Sequence, residues 1–162
     1  AYFFPGAHFR RALVRAAARG VRVVLLLQGR VEYMLLHYAS RALYGSLLDG
    51  GIEIHEYHRS FMHAKVAVID RRWATVGSSN IDPFSLLLAR EANIMVEDAE
   101  FAGRLHASLT GAMTEGGRQV LPERWKQLPW LTRAAVWGSY GLARLMMGLV
   151  GYGGDENRER LA

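Results

Sequence analysis

Residues 21–57 read VRVVLLLQGRVEYMLLHYASRALYGSLLDGGIEIHEY, and this one stretch holds an extended run, an amphipathic run and a second extended run. Val21 to Leu27 is almost unbroken aliphatic sequence of strand length, as expected of a central strand covered on both faces, and Gln28-Gly29 ends it. Leu35, Ala39, Ala42, Leu43, Ser46 and Leu47 recur at helical spacing and stop at Gly50-Gly51. Ile52 to Tyr57 then alternates apolar and polar, the pattern of a half-buried strand. Upstream, Ala1-Tyr2-Phe3-Phe4 is strand-like and closes on Pro5-Gly6. Phe9, Leu13, Ala16 and Ala17 follow at helical spacing, with Arg10, Arg11, Arg15 and Arg19 on the other faces and Gly20 as a stop. Strand, helix, strand, helix, strand predicts an α/β fold with helical crossovers.

Downstream, Lys65 to Ile69 and Trp73 to Val76 read as strands around the turn Asp70-Arg71-Arg72, residues 77–90 as a loop, and Ala92 to Val96 as another strand. Asp98 is placed to cap a helix with the apolar stripe Phe101, Leu105, Leu109 and Met113, and Glu100 suits its first turn. The α/β body is expected to span residues 1–117, with 118–162 as a separate C-terminal segment. At 162 residues and 51% hydrophobic the chain can bury a core of its own. Twenty Lys and Arg against 15 Asp and Glu leave a net charge of +5, suited to nucleic acid or to anionic lipid head groups. The absence of cysteine excludes disulfide frameworks, thiolate catalysis and cysteine-ligated metal centres.

Chemistry concentrates in His63-Ala64-Lys65-Val66-Ala67-Val68-Ile69-Asp70 and in Gly77-Ser78-Ser79-Asn80. His63 and Lys65 are two residues apart at the mouth of a predicted strand, so they project to one side, as a nucleophile and a phosphate-binding cation acting on one group must. Asp70 lacks that parity and reads as a brace of the turn. Gly77 allows close backbone approach, while the Ser78 hydroxyl and Asn80 amide can donate to phosphate oxygens. The remaining histidines, His8, His37, His55, His58 and His106, read as surface or packed residues. The pair His58 and His63 lacks a third metal ligand. Arg59, Arg71 and Arg72 could steer an anion but read more simply as solvated charges.

The pattern His63-x-Lys65-x4-Asp70-x6-Gly77-Ser78-x-Asn80 resembles the HKD signature of the phospholipase D superfamily. Phe4-Pro5-Gly6, Glu56-Tyr57, the run Trp73 to Leu86 and Glu91-Ala92-Asn93 extend the likeness, over most of residues 1–115, to the C-terminal half of bacterial cardiolipin synthases. Ala64 departs from the Gly that members often carry. The resemblance implies a phospholipase D-like fold, a mixed β-sheet flanked by helices, and metal- and cofactor-free transfer through a phosphohistidine. His63 would be acid and base, with His63, Lys65 and Asp70 forming the motif. Lys65, Ser78 and Asn80 would bind the phosphate, and Glu91 would orient an imidazole. Such enzymes use two motifs where this chain has one, so a second half is expected, either upstream in the same polypeptide or as a second copy. An opening inside a strand, without an initiator Met, points to the upstream half.

The last segment narrows the substrate. From Trp130 to Tyr152 it is long enough to cross a bilayer, but Arg133 and Arg144 interrupt the apolar windows and Gly138, Gly141 and Gly148 weaken them. The two arginines are eleven residues apart and share one helical face, so the helix suits a membrane interface. Docking on the chain's own body is an equal alternative. The reading that follows is a cardiolipin synthase, a phosphatidyltransferase using phosphatidylglycerol. Its partners would be anionic phospholipids, including phosphatidylglycerol and cardiolipin, at the cytoplasmic face of a bacterial inner membrane, which it joins peripherally. The alternative is a phospholipase D or a single-motif nuclease working as a homodimer, and nucleic acid is the less favoured partner.

Overall fold

The computed structural model describes residues 3–31, 33–82, 85 and 89–149. Helix α1 (Ala7–Ala18) is followed by β1 (Val24–Gln28), α2 (Met34–Arg41), α3 (Tyr44–Asp49), β2 (Glu53–Tyr57), β3 (Val66–Ile69), β4 (Trp73–Gly77) and β5 (Asn93–Glu97). Then come α4 (Ala99–Gly116), β6 (Gly117–Gln119), α5 (Pro122–Lys126) and α6 (Trp130–Leu149). The strands form two three-stranded sheets, ordered β1-β2-β6 and β3-β4-β5. In the first, β1 and β2 run parallel with Leu25 opposite Ile54, as their helical crossover requires, and β6 lies antiparallel to β2. The second is antiparallel throughout, with Val66 opposite Val76 and Gly77 opposite Asn93. Of the expected opening strand, Phe3 makes a single parallel bridge to Ile81.

The core gathers Phe3, Phe4, Leu27, Leu43, Tyr44, Leu47, Ile52 and Ile54 between the first sheet and its helices. One expected helix is two. Ala42 N–H reaches both Tyr38 O and Ala39 O, and Leu43 N–H closes a tighter turn on Ser40 O, which ends α2 before α3 begins. Asp98 caps α4 as its sequence position predicts, its Oδ1 accepting from Phe101 N–H at 2.7 Å.

The division expected at residue 117 falls inside β6. Val120 N–H bonds Ile54 O and His58 N–H bonds Gly116 O, so the chain after α4 continues the body's own sheet. Helix α6 then packs on α2, burying Val136 and Ala143, and Tyr140 meets the Phe4 ring at 5.6 Å. Its opposite side stays open, with Trp130, Trp137, Leu142 and Leu145 exposed. Among the described residues no helix is long and apolar enough to cross a membrane.

Candidate active site

The second sheet places the motif. Gly77 N–H bonds Lys65 O at 3.1 Å, one step beyond the Val66–Val76 pair, so Lys65, Gly77 and Asn93 stand in a row across one end of the sheet. Alternation then puts Lys65, Ala67 and Ile69 on one face, together with their cross-strand neighbours Thr75 and Met95. His63 is exposed just ahead of this row, and its carbonyl accepts from Lys65 Nζ at 3.3 Å. The segment leading to it is tied down from the end of β1 and the turn after it: Met62 N–H donates to Gln28 Oε1 at 3.0 Å, and Arg30 donates to His58 O and Arg59 O.

Asp70 lies at the other end of β3, about 16 Å from Lys65 at about 3.3 Å per residue. Asp70 and Arg71 have φ of 53° and 52°, and Arg72 N–H closes the turn on Ile69 O at 3.1 Å. Aspartate tolerates this left-handed region better than most side chains, so its place in the motif matches the hairpin's geometry.

The loop after β4 is held by hydrogen bonds to the segment entering β5. Ser78 N–H bonds Ala92 O at 3.0 Å, and the Ser78 hydroxyl accepts from Ala92 N–H at 3.0 Å. Asn93 Nδ2 donates to Ser79 Oγ at 2.6 Å. Asn80 N–H donates to the buried Ser85 hydroxyl at 2.9 Å, and that hydroxyl donates to Glu91 Oε1 at 2.5 Å. The Ser78 and Ser85 hydroxyls, with the Lys65 charge nearby, hold the Glu91 carboxyl below the usual carboxylate range. Glu91 therefore engages hydroxyls of its own loop, and Lys65, Ser78, Asn80 and Glu91 form one connected cluster beside His63. Asn80 Oδ1 is buried without a hydrogen-bond partner among the described residues.

Three contributors carry no clear signal of role in the sequence. Asn93 belongs to the family-like wording yet shows its function only once Gly77 lies opposite it. Ser85 also falls in the family-like run but reads there only as loop, and Gln28 reads only as the end of an aliphatic run.

In β2 of the first sheet, Glu56 is buried at 6% exposure, with Arg41 NH1 at 3.5 Å from Oε1 and His58 Nε2 at 3.5 Å from Oε2. Arg59 pairs with Glu115, and Arg72 lies 3.5 Å from Glu97, so two of the loop arginines have carboxylate partners. His37 is buried near this cluster, and burial, then the Arg41 charge, pushes its imidazole below its ordinary value. The unfolded chain thus takes up this proton first as pH falls through about 6.5, and folding loses free energy over that window. Urea midpoints should drop between pH 7.5 and 5.5, and His37→Gln should flatten the drop. Equal slopes for the two proteins would contradict this.

The fold this site stands on is that of the phospholipase D family. A crystal structure of a phospholipase D family member, Nuc from Salmonella typhimurium, superposes with a TM-score of 0.63 at 22% identity, covering 75% of this chain and 78% of that one. The family described as cardiolipin synthase, PLD-like domain, matches residues 1–112, and the chain belongs to it. It is 45% identical to cardiolipin synthase B of Escherichia coli over 128 residues, 76% of this chain and 31% of that protein. It is 28% identical to minor cardiolipin synthase ClsB of Bacillus subtilis over 139 residues, 82% of this chain and 35% of the relative. The chain thus spans about a third of the length of these curated relatives.

Proposed function

We propose that the chain supplies one half-site of a cardiolipin synthase, a phosphatidyltransferase that moves a phosphatidyl group onto a hydroxyl of phosphatidylglycerol. The observation that carries this reading is the 45% identity to a cardiolipin synthase over 128 residues. Two histidines divide the work. The imidazole of a complementary motif attacks phosphorus, the P–O bond to the leaving alcohol breaks, and His63 gives that alcohol its proton. His63 then takes the proton of the acceptor hydroxyl, whose oxygen attacks the phosphohistidine and releases the imidazole. Lys65, Ser78 and Asn80 offset the charge on the non-bridging oxygens. Glu91, occupied with Ser78 and Ser85 on its own side, is a positioning residue for that loop, and the imidazole it would orient is the complementary motif's. Asp70 shapes the hairpin and does not touch substrate. No metal or cofactor enters this sequence of steps.

The complementary half would lie against the sheet face that carries Lys65, as an upstream part of the same polypeptide with a histidine of its own. Ile69 and Met95 on that face are 54% and 72% exposed, an apolar area that another folded half would cover. On the outer side of α6, Trp130, Leu131, Trp137, Leu142 and Leu145 stand exposed beside Arg133 and Arg144, the composition of a helix lying in an anionic membrane interface. The reading is peripheral attachment at the cytoplasmic face of a bacterial inner membrane. In it, residues 1–117 carry the chemistry and the segment from 118 adds the membrane face while sharing the body's core.

The test is product analysis with the protein as its gene encodes it, in phosphatidylglycerol vesicles. Cardiolipin and glycerol should appear one for one, and an in-frame second HKD motif should lie upstream in the gene. Release of phosphatidic acid without cardiolipin, or cleavage of DNA instead, would overturn the assignment in favour of a phospholipase or a nuclease.

A further inference from the structure

A cavity of about 590 Å³ opens between α3, α5 and α6, a size common for small-molecule sites. Its lining includes nothing from the loop and sheet that hold His63. The floor is apolar, built from the buried Leu43, Leu48 and Val136, and the walls are aromatic, from Trp125, Trp137 and Tyr140. Trp137 meets Tyr140 edge-on at 5.8 Å, which fixes one wall.

Three cations and one carboxylate line the same cavity: Arg10, Lys126, Arg133 and Asp49. Lys126 is already paired with Asp49 at 3.1 Å. That leaves the two arginines without a carboxylate among the described residues, and Arg10 Nε is buried with no hydrogen-bond partner among them. A guanidinium in that state favours an anionic oxygen acceptor. An apolar floor under two arginines that have no carboxylate partner among the described residues selects an anion carrying a hydrocarbon chain over a free anion or a neutral lipid.

The rim identifies where such a molecule comes from. Trp137 lines the cavity and is also 58% exposed on the outer side of α6, beside Trp130 and Leu145. Trp137 thus belongs both to the cavity wall and to the helix face proposed above to meet the bilayer, and the inference rests on that reading for its source of ligand. We infer that this cavity is a second, non-catalytic site for one acidic glycerophospholipid. Arg10 and Arg133 hold its phosphate, and its upper acyl carbons lie over Leu43, Leu48 and Val136. The lipid would seat the chain on anionic membrane and leave the His63 site free for substrate.

Indole N–H resonances of Trp125 and Trp137 report on the walls directly, in a His63→Ala protein so that turnover does not consume the probe. Dihexanoyl phosphatidylglycerol below its micellar concentration should shift both, and dihexanoyl phosphatidylcholine and inorganic phosphate should not. The doubly substituted Arg10→Gln/Arg133→Gln protein should bind the short lipid at least tenfold more weakly and keep the wild-type indole spectrum without ligand. With His63 intact, Arg10→Gln alone should keep wild-type turnover of the dispersed lipid. An equal response to phosphatidylcholine, a response to phosphate alone, or unchanged affinity in the double variant would each overturn the inference. Vesicle flotation of Trp130→Ser/Leu145→Ser separates it from the membrane reading: loss of flotation with intact short-lipid binding supports the cavity as a site of its own. Retained flotation with intact short-lipid binding would remove the bilayer as its source and overturn the seating role.

Discussion

Replacing His63 with alanine is expected to lower cardiolipin formation by about ten-thousand-fold, the scale on which a group that both protonates and deprotonates reacting oxygens contributes. The side chain is exposed at the end of the second sheet, ahead of the row formed by Lys65, Gly77 and Asn93, so its removal takes nothing from the core. Melting temperature should stay within about 2 °C of wild type, as for a surface substitution. The defect should also depend on the leaving group. A phosphatidyl ester of p-nitrophenol needs no proton to leave, so the His63→Ala protein should release one equivalent of p-nitrophenol per site and then stop, because no base activates the acceptor. Steady turnover in this variant would remove His63 from the chemistry, and absence of the burst would exchange its role with that of the complementary histidine.

The second large effect falls on a residue with no reactive group. A Cβ at Gly77 would stand 2.0 Å from Asn93 Oδ1, 2.5 Å from Ala92 O and 2.7 Å from Asn93 Cα. Two of those three atoms are backbone and cannot swing away, so Gly77→Ala must push β4 from β5 or displace the loop that carries Ser78 and Asn80. Overpacking of this kind costs about 3 kcal/mol. Because an error of about 1 Å in a catalytic group costs about a hundredfold in rate, transfer should fall by at least that much. Asn93→Ala on the same background removes the nearest contact and not the one to Ala92 O, so it should restore only part of the stability. Wild-type melting and activity for Gly77→Ala would show that the close approach is not needed.

Much of this arrangement could be read from the residues because it is local. The alternation in Lys65 to Ile69, the turn at Asp70-Arg71-Arg72 and the capping Asp98 are decided by neighbours a few positions away, and the strands and helix stand where those patterns put them. The third strand of the first sheet, by contrast, shows how distance defeats such reading. Strand β6 has only three residues, Gly117, Arg118 and Gln119, with no apolar alternation, and exists because β2 offers an unpaired edge some sixty residues earlier in the chain. The break between α2 and α3 is invisible for a related reason, since Ala42 and Leu43 continue the apolar spacing while the backbone tightens to bury Tyr44 and Leu47.

The site divides along the same line. His63, Lys65, Ser78 and Asn80 stand out by type and spacing, whereas what each touches does not. Glu91 shows this most clearly: the family resemblance implies an imidazole partner, and within the described fold its carboxylate meets Ser78 and Ser85. For α6 the sequence left docking and membrane contact as alternatives. A helix has two sides, and here Val136 and Ala143 bury one of them while Trp130 and Leu145 leave the other open.

The central claim is that this chain holds half of an active site and that its histidine carries protons while the complementary one carries the phosphatidyl group. Acid quench of the enzyme during turnover of phosphatidylglycerol, followed by peptide mass mapping, tests it most directly. The account predicts one phosphatidyl adduct for every two HKD motifs, on the complementary histidine, with the His63 peptide unmodified. An adduct on His63, or one adduct on every motif, would contradict it.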